Sequence, residues 1–237
     1  TWIVTLHGPS LGIGAGIAAV AIFVSFFAFN SVIEEKELVL EQAENIQPQS
    51  QKIGLAVFTE NGSPYLGDVN APITLVEFGD YQCFFCNKHF HETEHSILSN
   101  YVETGKVKII FKDYTIIGPD SITAAHAAHC ANDQGKFWEY HDILYNNWTG
   151  ENNGWASSEN LLQFAQNIEL DIDKFSECML NDTHTSIITN SNSDAKTLGI
   201  TGTPAFFVIG TDNKVTKING AQPYDVFERI FDSELEK

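Results

Sequence analysis

The chain has 237 residues, of which 31 are acidic and 13 are basic, so its formal net charge is −18. Such an acidic surface repels phosphate backbones, which disfavours a nucleic-acid-binding protein. Hydrophobic residues make up 43% of the sequence and there are four cysteines. This composition disfavours both a disordered chain and a small disulfide-stapled scaffold.

The first 33 residues contain no Asp, Glu, Lys or Arg. Within them, residues 11–29 form an apolar run, LGIGAGIAAVAIFVSFFAF, which is long enough to cross a bilayer as one helix. The alternative is a cleaved signal peptide, but the run exceeds a usual signal core and no small-x-small cleavage site follows it. We therefore expect residues 1–33 to be a single-pass anchor in the cell membrane. The remaining chain would lie on the extracytoplasmic side, where sequons at Asn61, Asn147 and Asn181 could carry glycans.

The rest of the chain divides into a polar segment and a folded domain. Residues 34–63 are rich in Glu and Gln, which indicates a stalk, and the folded domain is expected over 64–237. Its first strand is predicted over 73–78, a β-branched and apolar run. Cys83 and Cys86 follow this strand directly, and a helix is expected next, over 89–101.

A second strand is predicted over 107–111, which completes a strand–helix–strand unit with parallel pairing. Residues from about 120 to 198 then have helical spacing throughout. Two strands, 205–209 and 214–218, and a helix from Pro223 end the chain. The predicted fold class is α/β, a sheet domain with a helical insert between its halves.

The Cys83-Phe84-Phe85-Cys86 run is the strongest chemical signal. Disulfide exchange needs one thiolate that attacks and a second thiol that resolves the mixed disulfide. At a helix start, the helix dipole and free N–H groups stabilise the first thiolate, so Cys83 is the expected nucleophile and Cys86 the resolving thiol. Half of a zinc site is the alternative, but a pair between a strand and a helix favours redox chemistry.

The segment from Val76 to Cys86, VEFGDYQCFFC, closely resembles the active-site segment of DsbA-like thioredoxin-fold oxidoreductases. Residues 202–207, GTPAFF, resemble the family's cis-proline loop and the strand after it. The resemblance implies a thioredoxin-like fold and a cis Thr203-Pro204 peptide beside the two sulfurs. A trans proline that opens an edge strand is the alternative.

The resemblance also implies a role for Glu77. This residue matches the buried acid below the family's active site, a proton relay to Cys86; the alternative is a side chain that points from a strand edge into water. The sequence departs from the family at Phe85, where its strongest oxidases have a histidine. We therefore expect a milder oxidant, which leaves the direction of exchange open.

If Cys83 and Cys86 pair, the remaining cysteines are Cys130 and Cys178. We expect a structural disulfide between them; two free buried thiols are the alternative. Two histidine groups suggest zinc or copper as an alternative. However, His91 and His95 share one helix face while His89 lies elsewhere, and surface histidines are common, so no metal and no cofactor are expected. These groups are His89, His91 and His95, and His126 and His129.

The sequence thus predicts a membrane-anchored thiol–disulfide oxidoreductase, most simply an oxidase that passes disulfides to extracytoplasmic proteins. A membrane quinone-linked thiol oxidase of the DsbB or vitamin-K-epoxide-reductase type would re-oxidise it, and the chain is expected to be a monomer. The alternatives are an extracytoplasmic protein-disulfide reductase and a thioredoxin-fold copper-delivery protein.

Overall fold

The structure is a computed structural model and describes residues 54–237. The expected anchor over 1–33, and the expected stalk up to residue 53, lie outside the described residues. Between residues 54 and 237, no helix combines the length and the apolar character that a membrane span requires.

The sequence predicted that the folded domain begins at residue 64, but folded structure begins before that residue. Helix α1, Ala56–Thr59, buries Phe58, whose ring centre lies 5.0 Å from that of Phe207. The Lys112 ammonium group donates a hydrogen bond to the backbone carbonyl of Val57 at 3.0 Å. These contacts tie α1 to the body of the domain, so this part of the expected stalk is folded. The helix is only one turn long, which is why helical periodicity did not reveal it.

Four strands form one mixed sheet in the order β2-β1-β3-β4. Strand β1 pairs with β2 in parallel and with β3 antiparallel, and β3 pairs with β4 antiparallel. The strands are β1 Ile73–Gly79, β2 Val107–Asp113, β3 Ala205–Ile209 and β4 Val215–Asn219. All seven residues of β1 are buried, as expected for a central strand covered on both faces.

Helices cover both faces of the sheet. Alternation along a strand sends Leu75 and Val76 to opposite faces. Leu75 lies in a cluster with residues of the long helix after the cysteines and of the C-terminal helix. Val76 lies in a second cluster, with Phe58 of α1 and Ala195. The predicted α/β fold is confirmed.

The helix after the cysteines, α2, begins as Phe84–His89 and continues to Val102. Its continuation alternates between π-helical turns, Phe90–Glu94 and Leu98–Val102, and a short α-helical turn, His95–Ile97. Five helices lie between β2 and β3, and one follows β4. They are α3 Pro119–Asn132, α4 Phe137–Asn146, α5 Ser158–Asn167, α6 Ile172–Leu180, α7 Thr185–Thr197 and α8 Tyr224–Leu235.

Polar caps and one covalent bond organise the insert. The side chains of Ser157 and Asp171 accept hydrogen bonds from the first turns of α5 and α6 and so cap these helices. Cys130 of α3 and Cys178 of α6 form a disulfide with a Cα–Cα distance of 5.8 Å. Their pairing is the one expected from the sequence.

Removing this disulfide should lower the free energy of unfolding without stopping exchange at the other cysteine pair. The bond closes a loop with a sequence separation of 48, and the chain-entropy model gives roughly 4 kcal/mol for a loop of that length. Urea titration of Cys130→Ala/Cys178→Ala should show a loss of about 2–4 kcal/mol. An unchanged denaturation midpoint would contradict the structural role.

Candidate redox active site

The two cysteines lie at the junction of the sheet and α2. Cys83 is the N-cap of α2 and has extended backbone angles, φ −70° and ψ 124°. Its carbonyl accepts a hydrogen bond from the Asn87 N–H at 3.0 Å, and its own N–H donates to the Asp80 carbonyl at 2.9 Å. Cys86 lies in the first turn and is buried. The strand thus delivers Cys83 to the positive end of a helix, with Cys86 close by on the inner side.

The two sulfurs differ in acidity. The hydrogen bond from the Cys86 thiol is the largest cause that lowers the pKa of Cys83, to about 6; burial opposes it, while contacts with Thr203 and the N–H groups of Cys86 and Phe85 add to it. Burial raises the pKa of Cys86 well above its usual range, and Cys83 raises it further. Cys83 is therefore a thiolate at neutral pH and Cys86 a thiol, as attack followed by resolution requires.

The pH dependence of alkylation tests this difference. In the reduced protein, the rate at which Cys83 reacts with iodoacetamide should fall as pH drops through about 6, because protonation removes the thiolate. Mass spectrometry of digested samples assigns the label to one cysteine. A rate that falls near the ordinary thiol pKa of about 8.5 would contradict the stabilised thiolate.

The spacer residues contribute exposed apolar surface rather than charge. Phe84 is 51% exposed and Phe85 is 55% exposed, and their ring centres are 5.3 Å apart. Phe84 also lies 6.0 Å from the Trp148 ring, which the insert supplies. The thiolate is thus stabilised by Cys86 and by backbone N–H groups, without help from a charged spacer. The sequence predicted the backbone N–H groups at the helix start, whereas the contribution of the Cys86 thiol was not predicted.

The Thr203-Pro204 peptide is cis, as the resemblance implied, and it lies beside Cys83. Strand register explains the proximity, because Phe78 near the end of β1 pairs with Ala205 at the start of β3. The Cys83 Sγ atom lies 3.3 Å from the Thr203 carbonyl oxygen. β3 is paired on both sides, so the alternative of a proline opening an edge strand is wrong.

Glu77 lies inside the protein, on the central strand. Its partners across the sheet are Phe111 and Phe206, and it is only 5% exposed. Burial raises its pKa well above the usual range, and the negative charges of Glu94 and Cys83 act in the same direction. The alternative of a water-facing Glu77 is wrong. Its charge in turn adds to the rise in the pKa of Cys86, which burial mainly causes, so the two groups are coupled electrostatically.

Buried polar side chains that were not predicted from the sequence fix the loop ahead of Cys83 to the helical insert. The Asp80 carboxylate accepts hydrogen bonds from the backbone N–H groups of Gln82, Ile116 and Ile117 at 2.8–3.0 Å. The side chain of Gln82 is fully buried, and its amide donates to the Ser121 hydroxyl at 3.1 Å. A polar residue in a loop gives no pattern in sequence, so only the folded structure reveals these contacts.

The histidines are distributed differently around the site. His91 and His95 are exposed, whereas His89 is buried. His126 and His129 flank the disulfide, and each has a hydrogen-bond partner: His126 accepts from the His184 N–H at 3.0 Å, and His129 contacts Asp113 at 2.7 Å. The five histidines therefore do not converge on one point.

The comparisons with known proteins agree with this site. The family model described as Thioredoxin matches residues 59–233, more than half of the chain. The chain is 26% identical over 189 residues to the "Probable disulfide bond formation protein D" of Bacillus anthracis, covering 78% of this chain and 83% of that protein. The crystal structure of alpha-DsbA1 from Wolbachia pipientis superposes with a TM-score of 0.65 and 26% identity, covering 81% of this chain and 94% of that one.

One further relative shows that this kind of domain also occurs within a larger protein. The chain is 31% identical over 146 residues to "Na(+)/H(+) antiporter NhaA 1" of Salinispora arenicola (strain CNS-205). The match covers 61% of this chain and only 21% of that relative. The helical insert, the paired cysteines and the matches taken together confirm the resemblance: the chain belongs to the thioredoxin family and is a DsbA-like thiol–disulfide oxidoreductase.

Proposed function

We propose that this oxidoreductase works as an oxidase, which introduces disulfides into proteins outside the cytoplasm while anchored in the membrane. The observation that carries the direction is the stabilised Cys83 thiolate, whose pKa is lowered to about 6. Stabilising the thiolate favours the reduced form of the pair, and a pair that prefers to be reduced is a strong acceptor of electrons from substrate thiols.

The reaction needs only the chain's own thiols. A substrate thiolate attacks Cys83 Sγ of the oxidised pair, the Cys83–Cys86 bond breaks, and Cys86 leaves and takes up a proton. A second substrate thiolate then attacks the substrate sulfur of the mixed disulfide. The substrate disulfide forms and Cys83 leaves as the thiolate that its surroundings stabilise. Two electrons pass from the substrate to the pair.

The surface around Cys83 suits an unfolded polypeptide. Phe84 and Phe85, which directly follow Cys83, present exposed apolar rings, and the backbone carbonyl of Thr203 lies 3.3 Å from the Cys83 sulfur. Apolar contacts of this kind are tolerant of sequence, while a backbone carbonyl can accept a hydrogen bond from any extended chain. We propose extracytoplasmic proteins with free thiols as the substrates.

The anchor, the location and the redox partner belong to the same proposal. The apolar run over 11–29 supports a single membrane span, and the disulfide between Cys130 and Cys178 favours an oxidising compartment. A membrane quinone-linked thiol oxidase, of the DsbB or vitamin-K-epoxide-reductase type, would restore the oxidised pair. The chain would act as a monomer.

Disulfide transfer to a reduced, unfolded protein tests the direction. The full-length chain in detergent, with Cys83 and Cys86 oxidised, is mixed with an equimolar reduced substrate that has two cysteines. We expect the substrate to become oxidised and the pair to become reduced, as followed by thiol labelling and mass. A substrate that stays reduced, while the reduced chain opens a disulfide of the same substrate, would establish the alternative of a protein-disulfide reductase.

A further inference from the structure

A compact acidic cluster lies beneath the active site. A side-chain nitrogen of His89 and a carboxylate oxygen from each of Glu77 and Glu94 all lie within 4.8 Å of one another. All three residues are buried, at 5%, 2% and 6% exposure. Glu77 comes from the central strand, while the other two come from the inner side of α2. Two acids and one imidazole thus meet in the core next to the resolving cysteine.

Burial shifts the pKa values of all three groups in the direction that favours their neutral forms. Burial raises the pKa of Glu94 to about 8, and the neighbouring Asp142 carboxylate adds to the rise. Burial lowers the pKa of His89 to about 3, so its ring is neutral, and its Nδ1 atom is buried without a hydrogen-bond partner in the described part of the chain. At neutral pH Glu94 therefore holds its proton for most of the time, and the pKa of Glu77 is raised by burial in the same direction.

Other titratable groups surround the cluster from several elements. Asp142 and His141 belong to α4, His95 to α2, Tyr81 to the loop ahead of Cys83, and Tyr145 to α4. Burial lowers the pKa of His141 to about 3, and it raises the pKa values of Tyr81 and Tyr145. These three groups are therefore neutral near pH 8. Asp142 is the neighbour that carries charge there, because burial raises its pKa only to about 6.

Two members of the cluster line surface depressions. His89 lines one of about 100 Å³, but burial lowers its pKa to about 3, so its neutral ring is a poor proton donor at neutral pH. The other member is Glu94. A surface depression of about 20 Å³ is lined by Glu94 together with Phe90, His95, Leu98 and Asp142. Glu77, by contrast, lies on the central strand and acts on Cys86, whose pKa it raises. Glu94 thus lines a surface depression and also lies within 4.8 Å of Glu77, measured between side-chain atoms.

We infer that Glu94 is a positioning residue for proton transfer, which links Glu77 to solvent during the redox cycle of the cysteine pair. The inference rests on the proposed thiol–disulfide function of that pair. When a thiolate attacks Cys83, the S–S bond breaks and Cys86 leaves; Glu77 gives its proton to the Cys86 sulfur and takes one from Glu94. Glu94 is then reprotonated by water at the depression. Resolution of a mixed disulfide by Cys86 moves the proton the opposite way.

The test follows the reduction of the oxidised pair in the full-length chain by an aromatic thiol that is ionised over the whole pH range used. The wild-type rate should fall as pH rises through about 8, because Glu94 then loses its proton. Glu94→Gln should react at least about tenfold more slowly at neutral pH and lose that inflection. Glu92→Gln, an exposed residue of the same helix, should keep both the rate and the inflection of the wild type.

A second variant keeps the test decisive if Glu94→Gln folds poorly. Asp142→Asn removes the carboxylate that raises the pKa of Glu94, so the inflection should move to lower pH while the neutral-pH rate changes little. The inference is overturned if Glu94→Gln keeps the wild-type rate and profile, or if the inflection stays in place in Asp142→Asn. It is also overturned if purified protein holds a stoichiometric metal ion on the cluster. A wild-type chain that reacts with no thiol would instead refute the proposed function.

Discussion

Cys83→Ser should abolish disulfide transfer, lowering the second-order rate with a reduced substrate protein by at least about 10³-fold. The hydroxyl that replaces the thiol cannot form a disulfide, and the stabilisation that the site provides acts on a thiolate. The loss should be in the chemical step, because the apolar surface of Phe84 and Phe85 is unchanged. Stopped-flow thiol consumption measures the rate.

The matched control for this variant is Cys178→Ser combined with Cys130→Ser. These cysteines form the disulfide of the insert, so their loss should lower stability and leave transfer close to the wild-type rate. Cys83→Ser should instead lose disulfide transfer and keep the urea denaturation midpoint of the wild type. Residual transfer above about a tenth of the wild-type rate in Cys83→Ser would show that another cysteine is the nucleophile.

Cys86→Ala should trap mixed disulfides between Cys83 and substrate proteins. Cys86 is the thiol that resolves such intermediates, and its position in the first turn of α2 brings it beside the Cys83 sulfur. With a single-cysteine substrate linked to Cys83, only Cys86 can release the mixed disulfide, so in the variant the intermediate should persist at least about 10²-fold longer than in the wild type. Non-reducing electrophoresis after acid quenching measures its lifetime.

A double variant and a pKa measurement test whether the mixed disulfides of Cys86→Ala form through Cys83. Cys83→Ser/Cys86→Ala should form no mixed disulfides, because the attacking sulfur is absent. Cys86→Ala should also raise the pKa of Cys83, because the hydrogen bond from the Cys86 thiol is the largest cause of its depression. If Cys86→Ala clears the mixed disulfide with a single-cysteine substrate as fast as the wild type, Cys86 is not the resolving thiol.

Much of the secondary structure could be predicted from the sequence, because short-range residue patterns determine it. Residues 73–78 are apolar or β-branched except for Glu77, and they lie in a fully buried central strand. The capping residues Ser157 and Asp171 also lie where polar side chains precede apolar helical spacing. The cysteine pair was visible because a strand-to-helix junction is a local feature. In each case, the signal lies within a few residues of the element it predicts.

The acidic cluster of Glu77, His89 and Glu94 could not be predicted from the sequence, because its members come together only when α2 packs on the sheet. The helix predicted over 89–101 buries Phe90, Ile97 and Tyr101, as its helical spacing of apolar residues implies. The π-helical turn over Phe90–Glu94 adds a residue to the turn and rotates the side chains that follow it. Glu94 is thereby buried, although a charged residue at that position is expected to face water.

The central claim is that the Cys83–Cys86 pair is an oxidising disulfide, and its reduction potential tests this most directly. The full-length chain in detergent is equilibrated with glutathione buffers of graded ratio, and the fraction of reduced pair is read by thiol labelling and mass spectrometry. The stabilised Cys83 thiolate predicts a potential above about −200 mV. A value near that of thioredoxin, about −270 mV, would contradict the oxidase and favour a reductase.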